Sequence, residues 1–246
     1  EVEFEICEGG SGAAQFAGKS AELFSVAIDE KDLCWLKLTT IGPPGHGSRP
    51  HSDNSAVRLV RALNRLSDWE SPIRYTSITR LYLDSLLRAG LIPNSAGEDE
   101  IERIIRRTPG IHAMFINTLN ITMIHSGTKV NVVPAKSEAV LDCRLLPGQD
   151  REDWRDEVVA VIDDPQVKVE FFKDWSQEQP CAVSWNTELY QVIESVVTGA
   201  MENAIVVPSL CVGATDNRFL RQKGIPAYGF IPCLLSPEEV SGFHGN

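Results

Sequence analysis

Between about Leu33 and Phe172 the elements run strand, helix, strand, strand, helix, strand, and the segments on either side alternate strand and helix. This order predicts an α/β domain interrupted by an inserted α+β sandwich of ferredoxin-like topology. Two observations support it: a hydrophobic share of 43% suits a packed globular chain, and the composition shifts at about 33 and 172 without a flexible linker. The expected division is 1–32 and 173–246 for the α/β part and 33–172 for the insert, with a helical insertion at about 70–110 inside the latter.

Glu1 to Cys7 alternates as a strand, with Val2, Phe4 and Ile6 on one face, and Glu8 to Gly12 reads as a glycine-rich loop. A short stretch leads into an alternating strand around Leu33 to Thr39. Ile41 to Pro50 holds three glycines and three prolines, which excludes helix and central strand. Ala56, Leu59, Val60, Leu63 and Leu66 then recur at helical spacing, behind Asp53 or Asn54 as cap. Residues 70–110 look mainly helical, with Ile101, Ile104 and Ile105 on an apolar stripe. Asn117 to Ile124 and Glu138 to Leu145 alternate on either side of a turn and read as antiparallel neighbours. Asp150 to Ile162 is a helix and Val167 to Phe172 a strand. Beyond Trp175, a helix at Asn186 to Ala200 precedes strands at Ala204 to Pro208 and Ala227 to Ile231.

A formal charge of −11 repels phosphate backbones and anionic membrane surfaces, so neither nucleic acid nor membrane is an expected partner. No stretch approaches the roughly 20 apolar residues needed to cross a bilayer. The six cysteines, Cys7, Cys34, Cys143, Cys181, Cys211 and Cys233, lie in apolar segments without C-x-x-C spacing. They read as buried free thiols of a reducing compartment, the cytoplasm by expectation. Both ends are abrupt: the chain opens within a strand and stops at Gly242–Asn246 without a closing helix, which is the pattern expected of a truncated sequence.

By spacing alone, Glu8 is a solvated glutamate and His244 a loop histidine, too far apart in sequence to form a motif. Several strings nevertheless coincide in order. Cys7-Glu8-Gly9-Gly10, Gly45-His46-Gly47-Ser48-Arg49, Gly127-x-Lys129-x-Asn131-Val132-Val133-Pro134, Asp142-Cys143-Arg144, Ala214-Thr215-Asp216-Asn217-Arg218 and His244-Gly245-Asn246 together resemble the aminoacylase, carboxypeptidase and acetylornithine deacetylase family of co-catalytic zinc hydrolases.

The resemblance implies a zinc-exopeptidase-like catalytic domain, present in part, with an inserted dimerisation domain. It implies two zinc ions sharing a bridging aspartate and a water, and cobalt or manganese could occupy the same ligand set. Glu8 would be a terminal ligand of one ion and His244 of the other; the family's remaining ligands and its glutamate base have no counterpart here. His46, by position an exposed loop histidine, would reach across a homodimer to stabilise the oxyanion of the partner's site. The neighbouring His51 matches no family role and reads as a surface residue. Asn131 and Arg144, otherwise a turn asparagine and a strand arginine, would bind the substrate's carboxylate. Asp216, Asn217 and Arg218 fall in the family's substrate-contacting loop, with an Asx-turn as the competing reading. The implied reaction is hydrolysis of the amide of an N-acyl amino acid or a small peptide with a free carboxylate. The alternative is a non-catalytic dimerisation module or a family member that has lost its metal site.

Overall fold

The computed structural model describes residues 2–173, 181–236 and 239. In chain order the elements are β1 (Glu5–Phe16), β2 (Lys19–Glu30), β3 (Asp32–Leu33), β4 (Leu36–Ile41), β5 (Gly45–His46), α1 (Ser55–Asp68), α2 (Ser77–Arg88), α3 (Glu98–Arg107), α4 (Pro109–Phe115), β6 (Thr118–Ser126), β7 (Val132–Val133), β8 (Lys136–Leu145), α5 (Arg151–Ile162), β9 (Val167–Phe171), α6 (Glu188–Ala200), β10 (Ala204–Cys211), α7 (Asn217–Arg221) and β11 (Ala227–Leu235). They form two compact units. One comprises the described residues of Glu1–Asp32, Ile73–Ile116 and Glu178–Asn246, the other those of Leu33–Pro72 and Asn117–Gln177.

The second unit is the sandwich. Around β8, β6 pairs on one side and β4 on the other, all antiparallel, and β9 pairs with the far edge of β4. The resulting order β9-β4-β8-β6, with α1 and α5 as crossovers, is that of a ferredoxin-like fold. Period-two burial sends Ala139, Leu141, Cys143 and Leu145 of β8 inward. There they join Leu36 and Leu38 of β4, Leu59, Leu63 and Leu66 of α1 and Trp154, Val158 and Ile162 of α5. Asn54 is the cap of α1, its side chain accepting from the Ala56 and Val57 amides, and Asp150 caps α5 in the same way. The opposite face of the sheet is charged, with Lys37 and Lys136 both on Glu138 at 2.5 and 2.8 Å.

The first unit is built on a four-stranded mixed sheet. β1 runs parallel to β11 and then antiparallel to β2, β10 runs parallel to β2, and β11 meets β2 at Gly229 and Ala27. The expected Glu8–Gly12 loop is instead the bulged middle of β1, with register shifts between Cys7 and Ser11 and between Ser11 and Gly12. A Cβ at Gly10 would stand 2.2 Å from the Ser25 carbonyl oxygen and 2.5 Å from that of Gly229, so only glycine lets the three strands converge. The sequence reading lacked β2, which follows a two-residue turn of Ala17 and Gly18, both at positive φ.

The helical segment assigned to the insert belongs to this first unit. α2 packs against β10, α3 against α4, and the Arg74 amide donates to the Phe115 carbonyl at 2.7 Å, closing the segment at its base. All six cysteines are free, and Cys34, Cys143 and Cys211 are buried, whereas Cys181 and Cys233 are exposed, contrary to the expected burial of all six. Among the described residues no helix is long and apolar enough to cross a membrane.

Candidate functional site

In the first unit, the functional positions gather where the bulge of β1 meets the loop leading into α7. Glu8 is part of the bulge, and the Cys7 thiol donates to its Oε2. Partial burial, and then this hydrogen bond, push the Cys7 thiol up to about 11. Asn217 Nδ2 donates to the Glu8 carbonyl at 3.4 Å, and the buried Oδ1 of Asn217 has no hydrogen-bond partner among the described residues. Gly9, at φ +128°, keeps β1 close to Cys211 and Thr215. Asp216 is exposed at the start of α7.

Arg218 differs most from its sequence reading. It is 2% exposed and holds Glu30, which is fully buried, through Nε at 2.6 Å and Nη2 at 2.5 Å, both on Oε1. Thr215 donates its amide to the same oxygen at 3.1 Å and its hydroxyl to Oε2 at 2.5 Å. Arg221 approaches Oε2 at 3.5 Å and donates to the carbonyls of Ala227 and Ala27 at 2.8 and 3.0 Å. A guanidinium so engaged is a strut between the end of β2 and α7, not a substrate contact. Asn217, 1% exposed, is likewise interior. The signal for this network was present in the sequence: four charged residues, Asp29 to Asp32, continue an apolar strand, and Arg218 and Arg221 are spaced to share a helix face.

Asp29, beside Glu30, is pushed up to about 6, chiefly by burial; the Glu30 carboxylate adds to the rise, while the Glu30 amide and Arg221 oppose it. An acid whose pKa is higher folded than unfolded stabilises the fold below its unfolded pKa of about 3.9, and that contribution is lost as pH rises through the folded value. Asp29→Asn, which keeps an acceptor for the Glu30 amide, should therefore leave stability at pH 4 nearly unchanged. At pH 8 it should raise stability by at most about 2–3 kcal/mol. Urea midpoints at the two pH values check this, and an equal shift at both would refute it.

In the second unit, β5 pairs with β7, setting Gly45 opposite Val133 and His46 opposite Val132. The Gly47 amide donates to the Asn131 carbonyl at 2.8 Å, so His46 and Asn131 share one end of the sandwich. His46 Nδ1 lies 3.2 Å from the Ser48 amide and 2.8 Å from its hydroxyl. An amide can only donate, so Nδ1 is the acceptor, and in the neutral ring the proton sits on Nε2. A cleft of about 200 Å³ adjoins this end, lined by Pro44, Val132, Val133 and Pro134 among others.

Arg144 is not part of this group. It lies at the other end of β8, opposite Thr118, while Ser137 near the start of β8 pairs with Ser126 at the end of β6. At about 3.3 Å per residue, Lys136 and Arg144 stand roughly 25 Å apart, so Asn131 and Arg144 of one chain cannot grip one carboxylate. Arg144 is held by Asp142 through two bonds, at 2.6 and 2.9 Å. His244 falls outside the described residues. Among the described residues no group of three or more His, Cys, Asp or Glu side chains could hold a metal ion. With one oxygen of Glu8 engaged by a thiol, these residues do not by themselves fit a two-metal site.

The family model described as the peptidase dimerisation domain of M20 proteins matches residues 28–170, more than half of the chain. The chain belongs to the M20 peptidase dimerisation family. Its curated M20 relatives include the probable carboxypeptidase S-like 2 of Dictyostelium discoideum, 26% identical over 237 residues that cover 94% of this chain and 45% of the relative. Aminoacylase-1 of Sus scrofa is 26% identical over 237 residues, covering 96% of this chain and 51% of that protein. The N-fatty-acyl-amino acid synthase/hydrolase PM20D1 of Mus musculus is 26% identical over 232 residues, covering 89% and 46%. The chain spans about half the length of the curated relatives it matches. Among solved structures, an M20 family metallo-carboxypeptidase from Sulfolobus solfataricus superposes with a TM-score of 0.53 at 17% identity over 83% of this chain and 58% of that one. A di-peptidase from Saccharomyces cerevisiae does so with 0.54 at 12% over 94% and 50%. These superpositions concern the fold: an α/β part joined to the M20 dimerisation sandwich.

Proposed function

We propose that this chain works as part of a metal-dependent amide hydrolase that cleaves N-acyl amino acids or small peptides bearing a free carboxylate. The observation that carries this is the fixed tautomer of His46, whose exposed ring keeps Nδ1 on Ser48 and so leaves Nε2–H to donate outward. Such a donor suits the oxyanion of a tetrahedral intermediate. The relatives' names, a carboxypeptidase, an aminoacylase and a fatty-acyl amino acid hydrolase, share amide chemistry on carboxylate-bearing molecules.

His46 acts on the site of a second copy. β6 is an edge strand among the described residues and exposes Ile121, Met123 and Ile124, and α1 exposes Val57 and Val60. An unpaired apolar edge is what a two-fold partner would cover. On this reading Asn131 and Arg144 of one chain serve different sites, and Asp216 borders the one that contains Glu8. Zinc is the proposed metal, with Glu8 and His244 among its ligands and cobalt or manganese as substitutes. Six free thiols suit a reducing compartment such as the cytoplasm.

The test is turnover by the whole protein of a panel of N-acetyl and N-lauroyl amino acids and dipeptides, with metal content measured alongside. Hydrolysis of at least one class is expected, together with loss of both metal and activity in Glu8→Ala. A metal-loaded protein that leaves the whole panel intact would sink the reading. A second reading, carried by the dimerisation-domain match over residues 28–170, is a dimerising module without catalysis. Absence of tightly held metal together with absence of turnover would select it.

A further inference from the structure

The turn that carries His46 is held from a side the proposed chemistry does not explain. The His46 carbonyl accepts the Arg49 amide at 3.1 Å and lies 3.2 Å from His51 Nε2. A carbonyl only accepts, so His51 carries its proton on Nε2, and it can make this bond whether neutral or charged. The His51 ring also lies over Gly45. A Cβ at Gly45 would stand 1.9 Å from His51 Cε1 and 2.6 Å from Nε2, closer than any real contact. Gly45 has no positive φ, so what a Cβ there would disturb is the imidazole above it, not the backbone conformation. Four constraints thus converge on the three residues Gly45 to Gly47: the ladder to Val132 and Val133, the Gly47 bond to Asn131, the Arg49 turn and the His51 clamp.

We propose that His51 is a positioning residue for His46: stacked over Gly45 and bonded to the His46 carbonyl, it fixes the turn in which Ser48 holds Nδ1 and Nε2–H points outward. The proposal rests on the hydrolase reading only for its effect on turnover, since the geometry it invokes lies wholly within the sandwich. His51 stays clear of the reacting atoms and acts through the main chain of His46. Loss of the clamp removes the side-chain constraint on the His46 end of the Gly45–Arg49 turn, and the Ser48–Nδ1 bonds, which span only two residues, loosen with it. The proton then distributes over both ring nitrogens of His46. Donors placed for an oxyanion lose effect with misplacements of about 1 Å, so turnover falls while substrate affinity stays.

The experiment uses the whole protein labelled with ¹⁵N-histidine, as wild type, His51→Ala, His51→Gln and Gly45→Ala. Ring nitrogen shifts of His46 report the tautomer, and kcat and KM are measured on the best substrate of the N-acyl amino acid panel. In the wild type His46 is expected as a single Nε2–H tautomer. In His51→Ala its ring shifts move towards the mixed-tautomer average and kcat falls about 10-fold with KM within about twofold. His51→Gln, which keeps an N–H for the His46 carbonyl, restores both, and Gly45→Ala, which displaces the ring, reproduces His51→Ala. Unchanged His46 shifts in His51→Ala overturn the proposal whatever the activity. Shifts that move while kcat does not would uphold the positioning and overturn the oxyanion role of His46 instead.

Discussion

Arg218→Leu is expected to destabilise the first unit by about 3–5 kcal/mol, and Glu30→Ala by no less. The reason is the accounting of a single carboxylate. Both oxygens of Glu30 are buried and every donor around them is aimed inward: Arg218 twice and the Thr215 amide on Oε1, the Thr215 hydroxyl and Arg221 on Oε2. Removing Arg218 leaves a buried carboxylate with Arg221 at 3.5 Å as its nearest cation among these contacts. Removing Glu30 strands two guanidiniums, and Arg221 is already pulled below the usual arginine value by burial. Replacing both Glu30 and Arg218 with apolar residues should cost less than the sum of the single changes, because the pair is then removed together and only Arg221 loses its carboxylate. Hydrogen exchange locates the effect. Protection should fall in β2, β10 and β11 and persist in β4, β8 and β9 of the sandwich. Unchanged protection in β2 together with an unchanged urea midpoint would show that the network carries no stability.

The same network shows which parts of the molecule could be read from sequence. The sandwich was legible because its signals are local and agree with one another. Alternating apolar runs around Leu33–Thr39 and at Glu138–Leu145, a helix behind Asp53 or Asn54 and another from Asp150 to Ile162 leave few topologies open. β2 was not legible for two reasons. Its turn uses Ala17 where the left-handed conformation usually selects asparagine, aspartate or glycine, and its second half is buried on both faces, so no alternation marks it. The helices at 73–116 are legible as helices, but the unit they pack in is not. Amphipathic spacing says that a face is covered, not by what, and the strand that covers α2 comes more than a hundred residues later.

Site residues divide in the same way. The strings around Glu8, His46 and Asp216 could be found by resemblance, but whether a polar side chain faces a ligand or the interior depends on its three-dimensional partners. Arg218 is therefore a strut, and Arg144 belongs at the far end of a strand from Asn131. His51 looked like surface because neither the space above Gly45 nor the His46 carbonyl is visible in a one-dimensional pattern.

Equimolar mixing of His46→Ala and Glu8→Ala forms of the whole protein is expected to restore about a quarter of wild-type turnover, although each form alone is nearly inactive. His46→Ala by itself should lower kcat by about 10²–10³, the usual cost of one oxyanion donor, with little change in stability because the side chain is exposed. Glu8→Ala should abolish the site that its own chain builds. If His46 serves the partner, a mixed dimer contains one dead site and one whole one, since the His46→Ala chain supplies Glu8 and the Glu8→Ala chain supplies His46. Random exchange makes about half of the dimers mixed, with one working site in each, which gives the quarter. If His46 instead served its own chain, every site in every dimer would lack one of the two groups and mixing would recover nothing. Native mass spectrometry of the mixture guards against failed exchange: mixed dimers present without recovered turnover would refute the cross-dimer role of His46. Recovered turnover would tie the exposed imidazole of His46 and the carboxylate of Glu8 to one site shared between two chains.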